Sequence, residues 1–384
     1  MRLLSRLVIM IGVCSGLSGL PLRAAPLLLA DLDTGRVIYS DDATQLWHPA
    51  SVTKLMTVYL AFKSVQAGRI KWTTPLVTSE RAKAMPPSKI GMKVGQTLTL
   101  DAAVKILLVK SANDIAVIVA ESLGGSVEGF AGMMNREAAA LGMVDSHFVN
   151  PHGLFAEGQK TTARDMAILA RRITLDFPKL NNLFGLPAIQ IGDKVMENTN
   201  GIIGRYEGAT GMKTGFICAS GFNVVATAQR GNKRLIAVVF GMPSAAERTL
   251  KTMELLDRGF GPSMPGPMLE SLPRRLGSEP PDLRGVICGR KDIGETDAAT
   301  DAQNPPASRS APPVLPPREK GEPVIVTLGP LKTPAANPDQ PAKPDQSTKP
   351  DQSTKPDQST KPDQPANPAK KPAKKAANPP ASSQ

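Results

Sequence analysis

The chain has 384 residues, with 36 prolines, 33 glycines and an aromatic share of 4%, and its 41% of hydrophobic residues is concentrated before about residue 260. That distribution describes a folded part joined to a segment too poor in apolar surface to fold. Three cysteines are too few for a disulfide framework, three histidines without Cys/His spacing give no metal site, and a net charge of +12 favours an anionic partner such as cell-wall polymer, lipid headgroups or nucleic acid without choosing among them.

Residues 1–25 read as an address. Arg2 and Arg6 precede an apolar run over 7–20, and Ala24 and Ala25 follow it, the pattern of a secretory signal peptide cleaved near that point. The run is short for a membrane span, and no other segment approaches the roughly twenty apolar residues that a span needs. Export with cleavage is therefore preferred to an uncleaved anchor. Cys14 would leave with the leader. Cys218, in an apolar stretch, reads as a buried small residue, and the oxidation state of Cys218 and Cys288 is left open.

After the leader, residues 27–40 read as two strands around the turn Asp33-Thr34-Gly35. An apolar run over 51–67 follows Pro49, which suits the first turn of a helix, and Gly68 stops it. Residues 72–100 lack periodicity and carry Pro86, Pro87, Gly91 and Gly95, so they form either a cleft rim or a long connector. Thr99 and Asp101 offer caps to a helix over 102–109, and further helices are expected over 114–123 and 127–141. Asn150-Pro151-His152-Gly153 is a turn by composition, and Thr162 and Asp165 open a helix running through Arg172.

Beyond residue 185 the pattern predicts strands over 188–191, 194–198, 212–214, 222–229 and 234–240, then a helix over 245–256. Strands at both ends with helices between them predict an α+β domain over 26–260, its sheet joining N- and C-terminal parts. Residues 261–300 are expected to be irregular, with at most a short strand over 283–288. Residues 301–384 are expected to be disordered, apart from a possible strand over 323–328. Five Pro-Asp-Gln units starting at Asn337 make an extended tether, and the basic end around Lys370, Lys371, Lys374 and Lys375 reads as a solubilising tail.

The chemistry is carried by three short signals in order. In Ser51-Val52-Thr53-Lys54 a hydroxyl and an amine stand three residues apart, on one face of a helix. A serine is a poor nucleophile until a base takes its proton, and an amine is that base only if burial and nearby positive charge lower its pKa. Alone the pattern means little, since roughly one or two such matches arise by chance in a chain of this length. Ser111-Ala112-Asn113 and Lys213-Thr214-Gly215 follow at domain-scale gaps. This S-x-x-K, S-x-N and K-T-G order is the set found in active-site serine β-lactamases and penicillin-binding proteins.

The wording around the three signals is closer to one branch. Pro49 to Thr57, Ser111-Ala112-Asn113-Asp114, Asn150-Pro151-His152-Gly153-Leu154, Thr161 to Met166 and Gly211-Met212-Lys213-Thr214-Gly215 resemble the low-molecular-mass penicillin-binding proteins that are D-alanyl-D-alanine carboxypeptidases, the S11 serine peptidases, over roughly residues 26–260. The resemblance implies a β-lactamase/transpeptidase-like fold, an antiparallel sheet flanked by a helical region, with the disordered C-terminal tail beyond it. It also implies a periplasmic hydrolase without metal or cofactor that removes the terminal D-alanine from peptidoglycan stem peptides and is acylated by β-lactam antibiotics. No nucleic-acid partner is implied; membrane association and oligomeric state stay open.

Carried residue by residue, the resemblance makes Ser51 the nucleophile, Lys54 its base and Ser111 a proton relay. Asn113 would bond the substrate backbone, Lys213 and Thr214 its terminal carboxylate, and Gly215 would let substrate lie close to the strand. The backbone N–H groups of Ser51 and Phe216 would form the oxyanion hole, each donor worth about 2.7–4 kcal/mol to the transition state. Arg248 matches an arginine linked with carboxylate recognition, although an exposed helix arginine is nearly as good a reading. His152 reads as a structural loop residue, not a triad member. Ile217-Cys218 depart from the more polar pair usual after K-T-G. The rival readings are a DD-endopeptidase of the same fold and a catalytically idle wall-binding scaffold; a β-lactamase is disfavoured because no E-x-x-L-N segment lies between the second and third signals.

Overall fold

The computed structural model describes residues 25–289, apart from 263, 265, 276 and 278, together with residues 313–331. The expected leader up to residue 24 and the Pro-Asp-Gln units lie outside the described residues. The central element is a five-stranded antiparallel sheet in the order β2-β1-β9-β8-β7. Its strands are β1 (Leu27–Asp31) and β2 (Val37–Asp41), then β7 (Ala209–Ile217), β8 (Gly221–Arg230) and β9 (Lys233–Met242). The N-terminal hairpin thus completes a sheet whose other three strands begin only at Ala209, as the α+β expectation required.

The sheet is buried on both faces, which is why its strands read as continuous apolar runs. Along β9, Leu235, Ala237 and Val239 belong to one core cluster and Ile236, Val238 and Phe240 to another, the two-residue alternation of a strand. The first face is covered by the long C-terminal helix α7 (Ala245–Phe260), which supplies Leu255 and Leu256. The second packs against α6 (Ala163–Asp176) and the helical region.

That region contains α1 (Lys54–Gln66), the short α2 (Glu80–Ala84), α3 (Leu100–Val109), α4 (Asn113–Gly124) and α5 (Val127–Ala140). Two small strands, β3 (Pro75–Val77) and β4 (Gln96–Thr99), break up the stretch that lacked periodicity, and its Thr99 hydroxyl caps α3 by accepting from the Ala102 N–H. Residues Asn113 to Ala120 of α4 are all buried, the signature of a helix enclosed on every side. Among the described residues no single helix is long and apolar enough to cross a membrane.

Two sequence expectations for the C-terminal part are corrected. The expected short strand over 283–288 is a helical turn, α8 (Arg284–Ile287); the β-branched Val286 and Ile287 suggested a strand, but four residues without a sheet edge form a turn instead. Within the segment expected to be disordered apart from a strand over 323–328, residues 313–331 dock on the domain, and a strand does lie within 323–328. There β10 (Val324–Ile325) pairs in parallel with β5 (Ala188–Ile191), itself hairpinned to β6 (Lys194–Glu197), and β11 (Leu328–Leu331) pairs antiparallel with β4. Cys218 and Cys288 form a disulfide, with Cα atoms 5.7 Å apart.

Candidate active site

Three elements converge on one cleft, and each brings one of the three sequence signals. Ala50–Thr53 form a single 3-10 turn leading into α1. Ala50 holds a left-handed φ of 49°, a conformation disfavoured for a residue with a Cβ. The turn is held from outside by Gly153, where a Cβ would lie 1.8 Å from the Ala50 carbonyl oxygen. Asn150 in turn fixes the Gly153 loop by accepting from its N–H at 2.7 Å. The expected turn at 150–153 therefore has a purpose: it shapes the turn that presents Ser51.

Lys54 is fully buried. Its Nζ lies 2.9 Å from Ser51 Oγ, 2.8 Å from Asn113 Oδ1 and 2.7 Å from the His152 carbonyl oxygen. Burial holds its pKa well below the ordinary value; the positive charge of Lys213 adds to this, and Asp114 opposes it. A lysine so placed is held toward the neutral amine, the form able to act as a base. The His152 ring is engaged within its own loop, where its Nδ1 accepts from the Leu154 N–H at 3.2 Å, and its pKa is also held well below the ordinary value, first by burial and then by Lys54 and Arg81. The backbone of His152 serves the site.

The second signal sits where α3 turns into α4. Ser111, with a left-handed φ of 65°, turns its hydroxyl to Lys213, whose Nζ donates to Ser111 Oγ at 2.8 Å. Asn113 begins α4; its Nδ2 donates to the Pro86 carbonyl at 3.3 Å while its Oδ1 accepts from Lys54. Next to it, the Asp114 carboxylate accepts from the N–H groups of Ile90 and Gly91, tying the Pro86–Gly91 rim to the helix start.

The third signal lies on β7, an edge strand of the main sheet that packs beside the Ser51 turn. Lys213 is buried, donates also to the Thr214 carbonyl at 2.9 Å, and has its pKa lowered to about 7 by burial and, to a lesser degree, by Arg248. Thr214 Oγ1 donates to Thr199 Oγ1 at 2.9 Å. Arg248 is buried against the reading of an exposed helix arginine: it reaches from α7 to donate to the Thr199 carbonyl at 3.3 Å, and burial lowers its pKa to about 10. A Cβ on Gly215 would sit 2.7 Å from the Ser51 backbone nitrogen, so only glycine lets this strand approach the Ser51 turn. Phe216 stacks on Phe222 with ring centroids 4.1 Å apart.

The cleft between these elements encloses about 460 Å³ and is lined by Ser51, Ser111, Thr214, Gly215, Phe216 and Arg248 among others. Lys54 and Lys213 lie beneath it, bonded to the Ser51 and Ser111 hydroxyls, and Asn113 is bonded in turn to Lys54. All nine residues singled out in the sequence therefore meet at one place. Sequence reading missed Thr199, Ser88 and Lys110, which also line the cleft, and the His152 carbonyl. Ser88 and Lys110 adjoin recognised stretches, but nothing around Thr199 marked it. The Ile217-Cys218 departure is explained by packing: Ile217 is buried with Ala50 and Ala219, and Cys218 is bound to Cys288. Among the described residues no cluster of His, Cys, Asp and Glu is suited to hold a metal ion.

The family model described as D-alanyl-D-alanine carboxypeptidase matches residues 17–244. The chain is 35% identical over 243 residues to D-alanyl-D-alanine carboxypeptidase DacF of Bacillus subtilis, covering 62% of each chain. It is similar in structure to penicillin binding protein 5 from Haemophilus influenzae, with a TM-score of 0.60 and 31% identity over 62% of this chain and 71% of that one. Penicillin-binding protein D2 from Listeria monocytogenes, solved in an ampicillin-bound form, gives a TM-score of 0.57 and 29% identity over 62% of this chain and 98% of that one. The chain spans 62% of the length of the curated Bacillus relative. With a match over more than half of its length and the serine–lysine geometry in place, the chain belongs to the D-alanyl-D-alanine carboxypeptidase family, peptidase S11.

Proposed function

We propose that this chain is a serine DD-carboxypeptidase whose catalytic unit, residues 26–260, removes the terminal D-alanine from peptidoglycan stem pentapeptides. The observation that carries the reading is the buried Lys54 amine at 2.9 Å from Ser51 Oγ. Lys54 takes the hydroxyl proton as Ser51 attacks the carbonyl between the two D-alanines. The peptide C–N bond breaks, an ester to Ser51 forms, and the departing amine receives a proton through Ser111, whose hydroxyl is held by Lys213. Water then hydrolyses the ester, with Lys54 again accepting a proton. Asn113 and the open edge of β7 align the substrate backbone. The cationic Lys213, Arg248 and the Thr214 hydroxyl receive the terminal carboxylate, and the backbone N–H groups of Ser51 and Phe216 receive the oxyanion.

The same geometry makes β-lactams covalent inhibitors, a reading supported by the ampicillin-bound Listeria relative. Export to the cell envelope is supported by the leader-like residues 1–25 and by the Cys218–Cys288 disulfide, which belongs to an oxidising compartment. Purified protein incubated with a pentapeptide muropeptide is expected to release free D-alanine, and Ser51→Ala to release none. Cleavage of a cross-linked dimer in preference to the pentapeptide would make the chain an endopeptidase. Cleavage of neither, with no labelling by fluorescent penicillin, would overturn the enzymatic reading in favour of a wall-binding scaffold.

A further inference from the structure

Thr199 joins the three walls of the cleft. Its N–H donates to the Val109 carbonyl at the end of α3, its hydroxyl accepts from Thr214 on β7, and its carbonyl accepts from Arg248 on α7. Its own loop, residues 198–203, lies on the chain between β6 and β7 and has no sheet partner to fix it. Internal bonds are short-range: Asn198 Oδ1 accepts from the Asn200 N–H at 2.8 Å, and Asn200 Oδ1 from the Ile202 N–H at 3.3 Å. From outside, the Asn198 N–H and Nδ2 donate to the Pro187 and Leu186 carbonyls, Ile202 packs into the core between the sheet and α7, and the segment 313–331 grips both ends of the loop.

Arg318 spans the loop from end to end. Its Nε donates to the Ile203 carbonyl at 3.0 Å, one terminal nitrogen donates to the Asn198 carbonyl at 3.0 Å, and the same nitrogen pairs with Glu197 at 3.3 Å. On either side the Glu319 N–H donates to the Gly204 carbonyl at 2.7 Å, and Arg205 Nε donates to the Pro316 carbonyl at 3.0 Å. The contact is close: a Cβ on Gly204 would lie 2.4 Å from the Glu319 carbonyl oxygen, and one on Gly321 would lie 2.5 Å from Pro187. Further along, β10 adds to β5, Val326 is buried, and β11 adds to β4, immediately before the α3 helix that leads to Lys110 and Ser111. The segment thus bridges the β5–β6 hairpin and the helical region, the two supports of the loop.

We infer that residues 313–331 are a strap that sets the position of Thr199, and that Arg318 is a positioning residue for the carboxylate-binding half of the cleft. The inference rests on the carboxypeptidase reading for its functional consequence, while the structural link from strap to loop stands apart from it. Arg318 touches no substrate; it acts through Asn198 and Ile203 on Thr199, and through Thr199 on Thr214 and Arg248. Loss of that hold weakens ground-state recognition of the carboxylate more than the chemical step at Ser51.

The test uses full-length Arg318→Gln and, as a displacement made away from the loop, full-length Gly321→Val, whose side chain would collide with Pro187. Two substrates separate positioning from general loosening: an acyl-D-alanyl-D-alanine peptide, which carries the carboxylate, and an acyl-D-alanyl methyl thioester, which does not. Each variant is expected to raise KM for the peptide about tenfold, the scale of losing a charge-assisted hydrogen bond, with kcat within about twofold. Its kcat/KM for the thioester is expected to match wild type, and hydrogen exchange at the amides of residues 199–203 to quicken. An equal loss on both substrates, or an unchanged KM for the peptide, overturns the proposal. If wild type cleaves neither substrate, the carboxypeptidase reading falls, and exchange over 199–203 then decides whether the strap holds the loop: faster exchange in both variants supports it, unchanged exchange overturns it.

Discussion

The amine of Lys54 lies 2.9 Å from the hydroxyl of Ser51, with two other acceptors already on it, Asn113 Oδ1 at 2.8 Å and the His152 carbonyl at 2.7 Å. A neutral amine has two N–H bonds and one lone pair. In a neutral amine whose two N–H bonds go to those fixed oxygens, the lone pair is left for the serine hydroxyl, the arrangement that would make Lys54 an acceptor before substrate arrives. Lys54→Met is therefore expected to lower the second-order rate of Ser51 labelling by fluorescent penicillin by about 10²- to 10⁴-fold, the usual contribution of a positioned base. Far-UV circular dichroism of the variant should stay that of wild type. Labelling within tenfold of wild type would remove Lys54 as the base.

The two buried lysines are expected to set opposite limbs of a pH profile. Lys54 must be neutral to accept a proton, so activity is lost as falling pH protonates it. Lys213 must be charged to receive a carboxylate, and in the free enzyme burial and Arg248 lower its pKa to about 7. The kcat/KM for a D-Ala-D-Ala peptide is expected to be bell-shaped, with its alkaline limb near pH 7. Arg248→Gln removes one of the causes that depress Lys213 and should move that limb upward, even as KM rises. An alkaline limb that stays in place in the variant would assign it to another group.

The same shift has a consequence for stability. Between about 7 and the ordinary value of 10.5 the unfolded chain binds a proton at Lys213 that the folded chain does not. Unfolding then takes up a proton, so stability from this group rises as pH rises through that window and is lowest below it. Thermal melting of Lys213→Met is expected to show a shallower rise from pH 7 to pH 10 than wild type, and an identical slope would count against the depressed pKa.

Two glycines near the nucleophile separate activity from stability. A Cβ on Gly215 would be 2.7 Å from the Ser51 nitrogen and 3.0 Å from the Val52 nitrogen, so Gly215→Ala can be accommodated only by moving the nucleophile turn or β7. At Gly153 a Cβ would meet the Ala50 carbonyl at 1.8 Å with the backbone already at a φ of +89°, so backbone strain adds to the collision. Gly215→Ala should lower penicillin labelling at least tenfold for a stability loss of about 1–3 kcal/mol, whereas Gly153→Ala should lower both labelling and melting temperature. Normal labelling of Gly215→Ala would show that the strand can retreat without cost.

The parts of this site that could be read from sequence are those in which local pattern and chemistry coincide. Ser51 and Lys54 share a helical face by spacing alone, and Lys213-Thr214-Gly215 announces itself by residue type. The apolar runs of β8 and β9 and the capping residue Thr99 likewise follow from local rules. What could not be read depends on chain segments far apart. The His152 carbonyl reaches Lys54 across 98 residues and carries no side-chain signature, and Arg248 is recognised as buried only when α7 lies on the sheet. The strap 313–331 was hidden for a further reason. Its strands, of two and four residues, are too short to show periodicity and borrow their hydrogen bonds from β5 and β4, so the sequence offered only a strand over 323–328 and no sign of where it docks.

The Cys218–Cys288 disulfide supplies the last prediction. Cys218 directly follows β7, the strand that forms one wall of the cleft, and Cys288 ends the turn α8, where the Leu283 N–H donates to the Ala219 carbonyl at 3.1 Å. Arg284 of the same turn lies over the Phe155 ring at 4.2 Å, and Phe155 packs against Ala50, Ile217 and Ala219. The bridge therefore pins a C-terminal segment on the small cluster that backs the Ser51 turn, closing a loop with a sequence separation of 70. Replacing both cysteines by alanine should cost roughly 2–4 kcal/mol of stability, since the cross-link restricts the unfolded chain. Because β8 and the Gly153 loop still hold the nucleophile turn, penicillin labelling at 25 °C should fall by less than about threefold, well under the tenfold of one lost hydrogen bond. Melting in the presence and absence of dithiothreitol checks the first expectation: wild type should melt lower when reduced, and the double variant should be insensitive to the reductant. A loss of labelling as large as that of Gly215→Ala would instead make the bridge a determinant of the nucleophile's geometry.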